Sequence, residues 1–597
     1  MIQPGLERIS RLLRNVEFPW KSIHVAGTNG KGTICYYAST LLTKRKLRCG
    51  TFTSPHLVDR WDSISIDNKT VDKALFQKIE KHYIELSLRA GIGASPFEIL
   101  TATAFHIFTE EKVQFGVVEA GMGGKLDATN ILNNQAVSVI SKIARDHENF
   151  LGTTLNQIAL HKAGILRPNV PYLVNPHNEH YVTAVIRNYA KEIGAGPALS
   201  YDPPDLTKAF FSKPEWHRFT NKLRSSQIVN PKMAVLAVTT ALESRGLQFK
   251  PRDIGTIMYL SKLHEIPGRL ELIKVPPVFG DTSSMAAGAK KGPSILVDGA
   301  HNPDAASMLN DYVSQRQRKR IMKDKNKGKP DRVPVTWVLA MSEGKDAREF
   351  LTRLLQPQDN VITTTFGPVD GMPWVHAMDP KELLAIAKSV QPTIMGLAMP
   401  YEGVLRALCA ARYLTEEHMP IVLTGSLYLV GDFHREFRPR RIRDYWTNPA
   451  FKDDRKMFAE ILVEEKHRVN QLLSGHDIEP FAQENSEWNK KSDEKRAERE
   501  KQAASRKKRR AIQEEILALD QDLERLAEEE RGIAQTGSPA ASAHQALEEG
   551  PISQSGSPSD SGHSSDKSES PTSTTSSPAL SSTSPDAVSQ TTEPRKD

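Results

Sequence analysis

Residues 22–33 read SIHVAGTNGKGT, and this stretch decides the fold. Ile23 and Val25 make a short buried strand that breaks at Gly27. The chain then turns through Thr28, Asn29 and Gly30, passes Lys31 and Gly32, and reaches Thr33. The next residues, ICYYASTLLTK, have helical spacing. A strand, a glycine-rich turn and a helix in this order form a phosphate-binding unit. Glycines let backbone N–H groups approach an anion, the helix N-terminus adds partial positive charge, and Lys31 adds a full one. Thr33 offers a hydroxyl to the magnesium that accompanies a nucleotide. The loop is not a strict Walker A. The first glycine of that pattern would fall at Val25, and Gly32 separates lysine from threonine. The bland alternative is an ordinary glycine-rich βα turn.

Outward from this unit, strands keep alternating with helices. Residues 47–53 read as a second strand, followed by Ser54-Pro55-His56-Leu57, and IDNKTVD reads as a turn and a helix start. Phe97-Glu98 opens a helix. Residues 115–119 make a third strand ending in Gly121-Met122-Gly123-Gly124. Residues 136–143 make a fourth, ending near Asp146-His147, and residues 155–162 are a helix. Strands that end in small or polar residues and alternate with helices describe an α/β domain with a mostly parallel sheet, whose ligands gather at the carboxyl ends of the strands. After the turn at Pro267-Gly268-Arg269, a second and smaller Rossmann-like α/β domain begins. Its strands end in Asp298-Gly299-Ala300-His301, in Ser342-Glu343-Gly344-Lys345 and in Gly425-Ser426. The expected organisation is a nucleotide-binding domain over residues 1–270, a second α/β domain over 271–437, a charged and partly helical extension over 438–531, and a disordered tail over 532–597. Two inserts, DTSSMAAGAKKG after Gly280 and the basic QRQRKRIMKDKNKGKPDR from Gln315, read as solvated loops.

Composition narrows the function classes. The 597 residues carry a net charge of +7, which suits anionic small molecules as well as nucleic acid and decides little. Three cysteines (Cys35, Cys49, Cys409) without metal spacing point to a reducing compartment. No apolar run is long enough to span a bilayer. The N-terminal MIQPGLERISRLLRN has arginines and amphipathic spacing, but Glu7, Glu17 and the closeness of the phosphate loop favour a first helix over a removable leader. A cytoplasmic protein is expected, with a mitochondrial one as the alternative. Ile512, Ile516, Leu519, Leu523 and Leu526 give only two heptads, which fit a solitary charged helix as well as a weak coiled coil over 512–526, and a monomer is expected. From Gly532 onward Ser, Thr, Pro and Gly dominate, and such a segment buries too little apolar surface to order itself.

Glu119, His147 and Lys162 stand at loop ends neighbouring the nucleotide loop. A carboxylate and a histidine there suggest metal-assisted phosphoryl chemistry, since magnesium takes oxygen ligands in an octahedron. A lysine binds a cation only after carbon dioxide has converted it to a carbamate.

The motifs HVAGTNGKGT, TSPHL, VVEAGMGGKLDATNIL, DHENFLG, HKAGI, PGRLE and LVDGAHNPDAA resemble the dihydrofolate synthase and folylpolyglutamate synthase family, among the Mur-type ATP-dependent amide ligases. They cover residues 9–437, and DGMPWVHAMDP from Asp370 resembles the fungal dihydrofolate synthases. The resemblance implies ligation of L-glutamate to dihydropteroate, with ATP and two magnesium ions. ATP would be held by Gly27, Thr28, Asn29, Gly30, Lys31, Gly32 and Thr33, with Asn230, Arg269 and Asp298. One magnesium would use Ser54 and Glu119, the other His147 with carbamylated Lys162. His301 and Ser426 would face the glutamate, and Phe97 and Glu98 the pterin. Lys31, Lys162 and His301 would carry the chemistry. The partners would be small molecules alone, with no membrane and no nucleic acid. The alternatives are a folylpolyglutamate synthase acting on tetrahydrofolate and a non-catalytic scaffold of ligase fold. Three residues depart from the family pattern: Lys125 in place of Arg, Arg145 in an apolar run, and His161 in place of Glu. Arg145 and His161 are expected to bring positive charge near a cation site.

Overall fold

The computed structural model describes residues 5–221, 223, 225–249, 255, 266–274, 294–318, 333–399, 403–415, 419–437 and 450–474. All of them fall within one unit, Met1–Phe481. The insert after Gly280, most of the basic insert, the heptads at 512–526 and the tail from 532 lie outside the described residues.

Two sheets organise the described chain. The first has seven strands: β1 (Lys21–Ala26), β2 (Cys49–Phe52), β3 (Ile64–Ile66), β4 (Lys69–Thr70), β5 (Phe115–Glu119), β6 (Gln135–Ile140) and β7 (Tyr172–Val174), in the order β4-β3-β2-β5-β1-β6-β7. The strands from β2 to β7 across this order are parallel. Period-two alternation sends Ile23 and Val25 to one face, against helices Lys31–Lys44 and Ser225–Glu243. On the other face Trp20, Phe52 and Val118 pack with helices Lys73–Arg89 and Pro96–Glu110. A parallel sheet covered on both faces explains why β5 and β6 are buried at every position.

The second sheet has six strands: β8 (Glu271–Lys274), β9 (Ser294–Val297), β10 (Thr336–Leu339), β11 (Asn360–Thr364), β12 (Met395–Met399) and β13 (Ile421–Thr424), in the order β12-β11-β10-β13-β9-β8. All its pairs are parallel except β8 with β9. Helices Pro303–Arg316, Ala347–Leu354 and Pro380–Val390 share a core with one face, and Gly403–Leu414 and Leu427–Glu436 with the other. Among the described residues no helix is long and apolar enough to cross a membrane.

Two expectations need correction. IDNKTVD is more than a turn before a helix. Asp67 and Asn68, both at positive φ, turn the chain between β3 and β4, and this antiparallel hairpin ends the sheet. The extension after Phe437 has a helix that meets the second sheet. Helix Ala450–Leu473 packs on edge strand β12, where the Glu465 carboxylate accepts from Lys388 Nζ at 2.6 Å and from the Gly396 N–H at 3.2 Å. It covers an edge that would otherwise present unpaired backbone groups. The basic insert does not start as a solvated loop either. Arg318 is buried and donates to both oxygens of Asp359 at 2.7 Å, and Asp359 also accepts from Trp337 Nε1 and the Val335 N–H. A guanidinium this well partnered is stable inside, whatever the charge of the run that follows.

Candidate active site

The nucleotide loop leaves β1 at the carboxyl edge of the first sheet. Gly27 has φ +146°, and a Cβ there would sit 1.9 Å from Ser141 Oγ, so the position admits only glycine. Gly30, at φ +90°, caps helix Lys31–Lys44, and Asn230 lies so close that a Cβ on Gly30 would meet its amide at 2.8–2.9 Å. Lys31 Nζ donates to the Thr28 carbonyl at 3.1 Å and stands 3.6 Å from Glu119. Thr33 and Gly32 line the same cleft.

Glu119 ends β5. Burial raises its proton affinity, and Lys31, Arg269 and a hydrogen bond from the Ser54 backbone oppose that shift. Ser54 Oγ beside it is buried without a hydrogen-bond partner. A carboxylate next to an unsatisfied hydroxyl is an oxygen donor set that fits magnesium. Lys162 is buried, donates to the Gly27 carbonyl at 2.7 Å, and is held down to about 7, chiefly by burial and then by the charge of Lys31. A lysine so shifted has a substantial neutral fraction near neutral pH, and the neutral amine is the form that takes up carbon dioxide. His147 caps a short helix at φ +56°. Partial desolvation and the charges of Lys345, Lys162 and Lys31 lower its proton affinity against the pull of Asp146, although its side chain is 42% exposed.

The second sheet faces the first with its own carboxyl ends. Asp298 follows β9 and accepts from the Leu270 and Ala300 N–H groups at 2.8 and 2.9 Å; burial raises its proton affinity and Arg269 opposes the shift. His301 Nδ1 donates to the Gly299 carbonyl at 2.8 Å, which turns Nε2 toward Asp146 at 3.3 Å. Ser426 Oγ caps helix Leu427–Glu436 by accepting from the Tyr428 N–H. Asn29 exchanges hydrogen bonds with Asn302 and donates to Asp304 at 2.8 Å, so the nucleotide loop is itself part of the contact between the lobes.

Every residue expected to bind nucleotide, metal or substrate lines one cleft of about 970 Å³ between the two sheets. Some of them also serve local structure. Glu98 closes a capping box with Ser95 and accepts from Arg8 at 2.9 Å, while Phe97 packs over Gly121. Lys125 is tied by its N–H to the His161 carbonyl at 2.8 Å. His161 lines the cleft as expected, but Arg145 does not: its side chain is exposed to solvent.

Two residues of the site carried no role in the sequence reading. Asp146, at the exit of β6, binds Lys345 Nζ from the exit of β10, and it also faces His301. Burial alone would raise its carboxyl. The bond from His301 and the charges of His147, His301 and Lys345 override that and hold it well below the carboxylate range. Each residue stands at a strand end, which is the available signal; that they meet across the lobes is not visible in the sequence.

The chain matches the family model for the dihydrofolate synthetase C-terminal domain over residues 282–436. It is 34% identical to the probable dihydrofolate synthetase of Schizosaccharomyces pombe, over 73% of this chain and 98% of that protein. It is equally similar to the dihydrofolate synthetase of Saccharomyces cerevisiae, with the same coverage. Among solved structures, Mycobacterium tuberculosis folylpolyglutamate synthase, complexed with ADP and AMPPCP, superposes with a TM-score of 0.55 at 25% identity, over 72% of this chain and 95% of that one. A nucleotide loop on one lobe facing the strand ends of a second α/β lobe makes this an ATP-dependent amide ligase of the Mur type. Within that class, the fungal relatives are matched along almost their whole length. The chain belongs to the dihydrofolate synthase and folylpolyglutamate synthase family.

Proposed function

We propose that the chain is a dihydrofolate synthase, joining L-glutamate to 7,8-dihydropteroate with ATP through an acyl phosphate. The observation that carries this reading is the match to two fungal dihydrofolate synthetases over 98% of their length. A carboxylate is a poor acyl donor, so its oxygen first takes the γ-phosphoryl group and ADP leaves. The glutamate amine then attacks the acyl carbon, and the tetrahedral intermediate expels phosphate, leaving the amide.

The chain's own residues supply what this needs. The backbone N–H groups at Gly30, Lys31, Gly32 and Thr33 cradle the triphosphate, with Gly27, Thr28 and Asn29 shaping the loop and Asn230 against it. Lys31 and Arg269 disperse charge on the transferred group, and Asp298, which holds the Leu270 N–H beside Arg269, reaches ATP from the second lobe. Ser54 and Glu119 would hold one divalent cation, and His147 with a carbamylated Lys162 a second. When bound, these ions neutralise phosphate oxygens. His301 and Ser426 receive the amino acid, His301 taking the proton released by its ammonium. Phe97 and Glu98 face the pterin. Closure of the lobes keeps water from the acyl phosphate. The same reading implies a cytoplasmic monomer working on small molecules.

The test is purified protein with ATP, magnesium, glutamate and either dihydropteroate or tetrahydrofolate, with products identified by mass. Dihydrofolate from dihydropteroate is the expected result. Glutamylation of tetrahydrofolate alone would make the chain a folylpolyglutamate synthase, the reading favoured by the match to the mycobacterial enzyme.

A further inference from the structure

The cleft is unlike on its two sides. At the exit of β6 it is ionic, with Asp146, His147, His301 and Lys345. The helix that carries Asn230 packs over β1 and β6, so the nucleotide also belongs on that side. At the exits of β5 and β2, on the other side of β1, Phe97, Met122 and His56 line the cleft beside Arg60 and Glu98, and segment 365–379 of the second lobe meets this side through Gly371 against Arg60 and Asp370 near His56.

That segment is firmly held. The Gly367 N–H donates to Asp432 at 2.6 Å and the Phe366 ring packs against Tyr428. At its far end the Met378 N–H donates to the Met341 carbonyl at 2.8 Å, and the Glu343 N–H donates to the His376 carbonyl at 3.0 Å. In its middle Gly371, at φ +73°, lies against the Arg60 guanidinium of the first lobe, which Glu80 holds at 2.6 Å. From this anchored segment Trp374 projects into the cleft with 47% of its surface exposed. An indole held out by a braced backbone is a preorganised apolar surface, and its exposure is not that of a fraying loop.

We propose that Trp374 is one wall of the acceptor pocket and stacks against the planar aromatic body of the carboxylic acid being activated. The inference rests on the ligase reading above. The acid's carboxylate must reach Lys31 and Glu119, at β1 and β5. Adjacent strands lie about 4.8 Å apart, so the exit of β2 is about 10 Å from that of β1. An acid built from a benzoyl ring and a bicyclic ring spans that distance, and glutamate does not. One wall then belongs to the first lobe, through Phe97, and the other to the second, so binding the acceptor favours bringing the lobes together.

The test is steady-state kinetics of the full chain for all three substrates, together with tryptophan emission on titration with dihydropteroate alone. Trp374→Ala should raise the KM for dihydropteroate by about tenfold or more, equivalent to about 1.4 kcal/mol per tenfold. The effect should fall on KM rather than kcat, and the KM values for ATP and glutamate should move by less than about threefold. Trp374→Phe should restore the acceptor KM while losing part of the emission change. An unchanged acceptor KM in Trp374→Ala overturns the proposal, as does an equal rise in all three KM values, which would make Trp374 a prop for its loop. An undiminished emission change in Trp374→Phe also overturns it. A wild-type chain that glutamylates neither dihydropteroate nor tetrahydrofolate would instead refute the ligase reading itself.

Discussion

Asp146→Asn tests whether the cleft is held shut by charge. The side chain is 7% exposed and joins the lobes through Lys345, 20% exposed, and His301, 35% exposed. Asparagine keeps the shape and an acceptor oxygen but removes the charge. A hydrogen bond to a charged partner contributes about 1.5–3 kcal/mol, and the solvent-screened contact with His301 adds at most about 1 kcal/mol. Because the amide still accepts a neutral hydrogen bond, the loss should be about 1–2.5 kcal/mol of bias toward the joined arrangement. That corresponds to about 5- to 70-fold in the ratio of joined to parted lobes.

A looser cleft lets water reach the acyl phosphate. The expected signature is therefore uncoupling: more ADP released per amide formed, with kcat for ligation falling further than kcat for ATP turnover. The assay measures both products from one reaction. Since Asp146 adjoins His147, Lys345→Ala serves as a control that approaches the same contact from the other lobe. It should uncouple in the same direction. One ADP per amide in both variants, at undiminished kcat, would refute the idea that this contact guards the intermediate.

Other expectations follow from single contacts. Lys31→Ala should lower ATP-dependent ligation by a hundredfold or more without a large change in thermal midpoint; retained turnover would remove Lys31 from the phosphate site. Asp359→Asn leaves Arg318 buried beside a neutral partner, so it should destabilise the second lobe by about 3–5 kcal/mol, read by denaturant unfolding; a loss below about 1 kcal/mol would contradict the burial. His24 donates from Nε2 to Thr129 and accepts at Nδ1 from Gln135, and burial lowers it to about 3. The unfolded chain then binds the extra proton between about pH 6.5 and 3, so stability should fall as pH drops through that window by up to about 1.4 kcal/mol per unit. His24→Gln should flatten this slope, and equal slopes in both proteins would count against a neutral buried ring.

What could be read from the sequence divides along a physical line. Residues 22–33 announced themselves because strand, turn and helix are local patterns, and the glycines report on backbone their immediate neighbours require. Glu119, His147 and Lys162 stand out only in company, as three groups at element ends beside the nucleotide loop, and Asp298 stands out through the family resemblance. The β3–β4 hairpin was not, since strands of three and two residues are too short to show alternation. Arg318 was misread because its partner Asp359 lies 41 residues away, and a run of basic residues looks solvated until that partner is known. Lys345 and Asp146 are 199 residues apart, and no periodicity in either segment encodes their meeting. Asn29 shows how closely the two kinds of information combine. Its place in the nucleotide loop was legible, while its side chain proves to hold Asn302 and Asp304 of the other lobe. Whatever settles into the loop therefore acts on a residue that already bridges the cleft. Asn29 thus ties the loop to the second lobe as the Asp146–Lys345 pair ties the exit of β6 to it.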